Sequence, residues 1–422
     1  MKKLLAFMLV LVMSFGLVAC GSGTDKKENA TTTAAAKEEK TEAAKEEKTE
    51  AAKEEKTEAA KEEKTEAPKE DKTEAETEKK AEEKKEEAAP ADELNIGVFY
   101  YDFADAYIAT VRAEMDKMLD KMGVTYKNYD AAGSQPTQTD SIKSAIAAGA
   151  NLLIVNVVET SSEDAAKEIA NAAKEAEIPV IFFNREVTND VVNGYEKAAF
   201  VGTDAPEAGH LQGEMIGDYL VANFKDVDLN GDGKISYVMF KGQEGNAEAE
   251  ARTQFAVEDA DKILKDNKLE ALAYYDENAD SKFLVDKDGK WSAAAANDYM
   301  STILGSYSED QKNMVELVIA NNDEMALGAL SALQNAGYNK EDGKYIPIFG
   351  VDATETAQGK IKAGEMVGSV KQDNVGMAAT ITQLVQNIKD GKDLMDGTDS
   401  LNVDKDVDKI RVPYQKWTAE SK

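Results

Sequence analysis

Asp228, Asn230 and Asp232 place side-chain oxygens at alternate positions, and Gly233 follows soon after. That is the first half of an EF-hand-type loop, in which a sharp turn wraps oxygen donors around a hard cation. Lys234 stands where such a loop lends a backbone carbonyl, and Ser236 where a further oxygen is used. The closing position should carry a bidentate Glu but holds Met239, and a thioether does not replace a carboxylate for calcium. Two readings stay open: an Asx-rich turn, or a cation loop whose last carboxylate arrives from elsewhere in the chain.

A second group of chemically capable residues sits at the ends of short apolar runs. Asp105 and Tyr107 follow the run 95–101, and Asn156 lies at the end of the run 152–158. Asn246, Glu248 and Arg252 follow 235–240, and Trp291 comes after 269–275 and a segment, 278–290, that reads as inserted. Asn322 follows 315–320, Asp352 follows 346–351, and Gln372 follows 367–370. Carboxylates, amides and a guanidinium can ring a polyhydroxylated ligand in its plane, while aromatic rings cover its apolar faces. Taken singly, an Asp after a strand is usually a helix cap and a lone Trp is usually core; the group carries weight as a set.

Catalytic chemistry is poorly supplied. The sole histidine is His210, in a helical context with no nucleophile implied, and it reads as structural. There is no Gly-rich phosphate loop and no Cys or His metal cluster in the sequence. Asp105 and Asp352 could be paired as in a glycosidase, but a cage that hydrogen-bonds a polyhydroxylated ligand on every side argues against hydrolysis. The chain reads as a non-enzyme.

The elements that must position these residues alternate between short apolar runs and amphipathic helices. Ile108, Val111, Met115, Met118, Leu119 and Met122 form one helical stripe, stopped by Gly123. Ser161 with Asp164 is a candidate capping box. Repeated β-α-β units give parallel sheets covered by helices on both faces, and about 320 residues of them make two domains. In doubly wound sheets the ligand sits outside the carboxyl ends of the strands, which is where the second group of residues falls.

The first 93 residues have a different character. Lys2 and Lys3, an apolar run to Val18, and Leu17-Val-Ala-Cys20 read as an export signal over residues 1–19 with a lipoprotein box, so that Cys20 is lipidated. Cys20 is the one cysteine, so disulfides are ruled out. Losing Lys2 and Lys3 takes the net charge from −31 to −33. So acidic a chain suits neither phosphate neutralisation on nucleic acid nor electrostatic attachment to an anionic membrane. Residues 20–93 carry an eight-residue Lys/Glu/Thr/Ala repeat without an apolar stripe, a solvated acidic stalk.

From Asp228 to Arg252, and more loosely from Asn95 to Tyr414, the sequence resembles the periplasmic galactose/glucose-binding proteins of sugar transporters. The resemblance implies two doubly wound lobes of the type I binding-protein fold, joined by three crossings, here expected near Pro179, Gln372 and Asp404. The first lobe would then be 94–178 plus 373–404, and the second 179–372 plus 405–422. It also implies that Asp105, Tyr107, Asn156, Asn246, Glu248, Arg252, Trp291, Asn322, Asp352 and Gln372 contact a hexose such as galactose or glucose. A structural calcium would be held by Asp228, Asn230, Asp232, Lys234 and Ser236, with Glu316 as the borrowed carboxylate. Asn246, Glu248, Gln372 and Tyr107 stand where that family has His, Asp, Asn and Phe, which leaves the exact sugar open.

The implied partners are a sugar, the membrane permease of an ATP-driven (ABC) importer, and the membrane through the lipid anchor on its extracellular face; nucleic acid is not among them. A monomer is expected. The alternative reading is a sugar-sensing receptor for chemotaxis or signalling without transport. A transcription regulator sharing this fold would need a basic DNA-binding helix pair where this chain has its signal and acidic stalk.

Overall fold

The structure is a computed structural model and describes residues 93–421. The expected signal peptide, Cys20 and the stalk as far as residue 92 lie outside the described residues.

Apolar strands buried on both faces need helices on both sides, and the chain supplies them in alternation. The first segment runs β1 (Asn95–Tyr100), α1 (Ala106–Met122), β2 (Thr125–Asp130), α2 (Gln135–Ala147), β3 (Leu152–Val155), α3 (Asp164–Glu175), β4 (Val180–Phe183), α4 (Asn189–Asn193) and β5 (Ala198–Gly202). The second runs α5 (Ala205–Val227), β6 (Ser236–Lys241), α6 (Ala247–Asp266), β7 (Ala273–Tyr274), β8 (Leu284–Val285), α7 (Ala293–Leu304), β9 (Leu317–Ala320), α8 (Asp323–Asn335), β10 (Ile348–Asp352), α9 (Glu355–Lys362) and β11 (Gly368–Lys371). Then come α10 (Asn374–Lys389), β12 (Lys409–Arg411) and β13 (Gln415–Thr418).

One sheet has the order β12-β5-β4-β3-β1-β2 and is parallel throughout. The other has the order β13-β11-β10-β9-β6-β7, with β8 also paired to β6. It is parallel except where β13 runs against β11. Alternate residues of each strand feed separate cores. Ile96, Val98 and Tyr100 pack under α1 and α10, whereas Phe99 joins the core under α2 and α3. Val238 and Phe240 face α7 and α8, while Tyr237 and Met239 face α5 and α6.

Two of the three expected crossings are displaced. Pro179 lies inside the first lobe: its carbonyl accepts from Leu153 N at 3.0 Å, and β4 and β5 extend the first sheet. The chain first leaves that sheet at Thr203. A crossing lies near Gln372, between β11 and α10. The third is not at Asp404, because β12 pairs with β5 and keeps the chain in the first lobe to Arg411. It falls between Arg411 and Gln415. The capping box at Ser161 does not form either: α3 starts at Asp164, and Glu163 at its N-cap makes no side-chain capping bond.

Candidate functional site

The carboxyl ends of both sheets face one cavity, with about 390 Å3 of space when the part open to solvent is counted. The first lobe lines it with Tyr101, Asp105, Tyr107, Ile108, Asn184 and Arg185. The second contributes Asn246, Glu248, Arg252, Trp291, Asn322 and Asp352, and Gln372 enters from a crossing. The lobes touch beside it: Asn246 Nδ2 donates to Thr160 Oγ1 at 3.3 Å, and Arg185 donates to the Gln243 side-chain carbonyl.

Helix starts place several of these groups. Asp105 caps α1 by accepting from Ile108 N at 2.7 Å, and its other oxygen accepts from the Tyr101 hydroxyl. Asn246 caps α6 through Ala249 N at 3.0 Å, and Asn322 caps α8 through Met325 N at 3.0 Å. The cap reading and the cavity-lining reading therefore hold together. Asn322 Nδ2 also donates to the Trp291 carbonyl at 3.2 Å, tying the indole to the end of β9. Arg252 is anchored on α6 and donates to Asn321 O at 2.9 Å, to the Tyr414 hydroxyl at 2.8 Å and, at the limit of a bond, to Gln372 Oε1 at 3.5 Å.

The 278–290 segment has a positional role. β8 adds Leu284 and Val285 to the edge of β6, and the buried Asp286 then accepts from Asp288 N, Ser292 N and Ser292 Oγ at 2.8–3.0 Å. This turn delivers Trp291 in a left-handed conformation, φ 57°. Asp352 is also strained, with φ 112° at the end of β10. A non-glycine residue held there costs on the order of 1–3 kcal/mol, and such strain gathers at functional sites.

The decisive feature is what lacks a partner. Arg185 Nε, Glu248 Oε1, Arg252 Nε and Gln372 Nε2 are buried without a hydrogen-bond partner, and all four side chains line this one cavity. Such an arrangement suits a small polar ligand clasped between two lobes. The periplasmic binding protein domain family matches residues 96–393. The D-galactose/methyl-galactoside binding periplasmic protein of Haemophilus influenzae is 35% identical over 328 residues, which is 78% of this chain and 90% of the relative. The chain belongs to the periplasmic binding protein family.

Other binding proteins lie further off. The ribose import binding protein of Bacillus subtilis is 23% identical over 71% of this chain and 83% of its own length. Among solved structures, a Clostridium phytofermentans transporter solute-binding protein with bound β-D-glucose superposes with a TM-score of 0.59 at 22% identity, covering 77% of this chain and 94% of that one. A Bacillus halodurans solute-binding protein with bound myo-inositol gives 0.59 at 24%, covering 78% and 96%. These last two share the fold.

The electrostatics of this binding protein's cleft follow from burial. Burial pushes the Asp105 and Glu248 carboxyls above their ordinary range. Asp352 is driven well above it by burial, against the pull of Arg252. Asp323, next to Asn322 but facing inward, is held by Ser369 Oγ at 2.7 Å and Thr354 N at 2.6 Å, and burial raises it to about 7.

Nine of the ten expected contacts line the cavity; Asn156 does not. It is fully buried behind the wall. Its Nδ2 donates to Phe183 O and to Asn184 Oδ1, both at 3.1 Å, and its Oδ1 accepts from Tyr101 N at 3.4 Å. Asn156 thus orients Asn184, which lines the cavity in its place. Asn184 and Arg185 directly follow β4, so the strand-end rule applied to that strand finds them. Tyr101 was counted as strand, and Ile108 as core.

The loop before β6 is knitted by its own side chains. Asp228 Oδ1 accepts from Gly231 N at 2.8 Å and Asp232 N at 3.1 Å, and its Oδ2 from Gly233 N at 2.9 Å. Glu316 reaches the same loop across the sheet: Oε1 accepts from Asn230 N at 3.1 Å and Oε2 from Ser236 N at 3.0 Å. Its carboxyl is fully buried, and burial with Asp228 nearby raises its pKa. Among the described residues no three His, Cys, Asp or Glu side chains converge into a ready metal cage. The donor set of Asp228, Asn230, Asp232, Ser236, the Lys234 carbonyl and Glu316 is nevertheless all oxygen, which fits a hard cation rather than a soft one.

Proposed function

We propose that this chain is the sugar-binding component of an ATP-driven importer, and that it closes its two lobes on a hexose such as galactose or glucose. The observation that carries the reading is the set of four unpartnered polar atoms on side chains that line one cavity. A buried group left without a partner costs about 1–3 kcal/mol. A sugar's hydroxyls, each donor and acceptor, can satisfy two donors of Arg185 and Arg252, the Gln372 amide and the Glu248 oxygen at once. Tyr107 from one lobe and Trp291 from the other offer rings to the sugar's C–H faces. The Haemophilus influenzae relative is named for binding D-galactose and methyl-galactoside, which points the same way.

Binding then proceeds as follows. An open cleft admits the sugar, which first meets one lobe. Rotation at the three crossings brings the other lobe's donors onto its free edge and expels water. Only the closed form presents a surface that docks productively on the permease. Calcium belongs to this reading as a structural cation: held by the Asp228–Ser236 loop and Glu316, it would offset their negative charge and pin the loop to β9's approach. Lipidation of Cys20 would tether the chain to the outer face of the membrane, and it would act as a monomer.

Titrating tryptophan emission with glucose, galactose, xylose and arabinose tests the reading. A saturable change with a hexose is expected, because Trp291 lines the cavity. No change with any of them at millimolar concentration removes the hexose assignment.

A further inference from the structure

Arg252 is the residue through which the cavity reaches the crossings. Its Nη2 donates to the Tyr414 hydroxyl at 2.8 Å, and that hydroxyl shares a hydrogen bond with Thr203 Oγ1 at 2.9 Å. Thr203 is the first residue of the first crossing, and Tyr414 the last of the third. Gln372, in the second crossing, stands 3.5 Å from the same Nη2. Thr203 is fully buried and Tyr414 nearly so, and the Thr203 carbonyl accepts from Arg411 Nη1 at 2.7 Å. The backbone brings the two crossings side by side, with Val412 N donating to Gly202 O at 2.7 Å beyond the pairing of β12 with β5.

We infer that Tyr414 and Thr203 are positioning residues that hold the Arg252 guanidinium in the cleft and tie its orientation to the crossings. The inference rests on the sugar-binding reading for its functional meaning. A phenol that accepts from Arg252 must turn its own proton elsewhere, and Thr203 Oγ1 is the atom within reach. The guanidinium plane, the phenol and the threonine hydroxyl therefore form one chain. When the lobes rotate, Thr203 and Tyr414 move relative to each other, and the bond between them lengthens or shortens with the angle. Arg252 then presents its unpartnered Nε to the ligand in one lobe arrangement and loses that aim in another. Filling the cavity and setting the lobe angle become one event.

The test uses the full chain with Tyr414→Phe, Thr203→Val, the pair together, and Thr203→Ser as the conservative control. Two readouts separate the inference from the sugar reading. The first needs no ligand: rotation of the Arg252 guanidinium, followed by side-chain nitrogen NMR, should be slow in wild type and Thr203→Ser and faster in Tyr414→Phe and Thr203→Val. The second is hexose affinity. Tyr414→Phe should weaken it about tenfold, as loss of a charge-assisted bond implies, and Thr203→Val a few-fold. Thr203→Val added to Tyr414→Phe should change affinity no further. Effects that multiply in the double variant, or a guanidinium equally slow in all four, overturn the inference. If Tyr414→Phe does not fold, the contrast of Thr203→Val with Thr203→Ser decides by the same two readouts. A wild type that binds no hexose counts against the sugar reading alone, and the guanidinium rotation still decides this one.

Discussion

The indole of Trp291 packs directly on the backbone of Gly242: a Cβ placed on that glycine would stand 2.0 Å from the indole Cε3. Gly242 follows β6, and its N–H donates to Asn321 Oδ1 at 3.1 Å, so the glycine cannot retreat without losing a buried bond. Gly242→Ala should push Trp291 off its seat and weaken hexose binding by about tenfold, the order expected for one aromatic contact. Titration of a Trp417→Phe, Gly242→Ala chain reads this from Trp291 alone. Affinity equal to that of the Trp417→Phe chain would show that the indole is not a wall of the ligand site.

Asn156 and Asn184 should separate by phenotype. Asn156→Ala leaves Phe183 O and Asn184 Oδ1 without a buried donor, and should lower unfolding free energy by about 1–3 kcal/mol. Asn184→Ala removes a cavity-lining amide and should weaken sugar binding with a smaller effect on stability. Denaturant unfolding and sugar titration of both variants check this; an Asn156→Ala chain of wild-type stability contradicts the assignment.

Much of this cleft was legible because doubly wound topology forces it. Polar residues just beyond buried parallel strands gather at the cleft end of the sheet, so Asp105, Glu248, Asn322 and Asp352 could be located from the sequence. Asn156 misled because it also stands at a strand end, yet its amide is consumed within the wall. The crossings were less legible: nothing in the apolar pattern of 180–202 says which sheet β4 and β5 join, and pairing of β12 with β5 links positions some two hundred residues apart. The partners of Arg252 were invisible for the same reason, since Tyr414 and Thr203 meet only through tertiary structure.

The loop at Asp228 makes a metal-dependent prediction. Asp232→Ala should lower the melting temperature in calcium and abolish any difference between calcium and chelator, while sugar affinity at low temperature stays close to wild type. Glu316→Gln should act the same way, because its buried carboxylate faces that loop. Wild-type melting curves that coincide in calcium and in chelator would contradict the structural cation.

Stability should fall as pH rises through weak acid. Asp323 has an ordinary pKa of 3.8 and is raised by burial to about 7 in the folded chain. The folded state thus keeps a proton that the unfolded state releases, so this contribution is full below about pH 4 and lost as pH approaches 7. Asp105, Glu248 and Asp352 are shifted in the same direction by burial. Asp323→Asn should flatten the decline between pH 4 and 7 in unfolding experiments. A wild-type stability that rises across that interval, with the Asn variant unchanged in slope, would refute the assignment.

In the proposed binding mode, side chains from both lobes meet on one small carbohydrate. Equilibrium dialysis against labelled D-galactose and D-glucose tests it most directly, with wild type beside Asp105→Ala from one lobe and Arg252→Ala from the other. One sugar bound per chain at micromolar or lower concentration is expected for wild type, with a marked loss in each variant. No sugar retained at millimolar concentration, or full retention after either substitution, would contradict it.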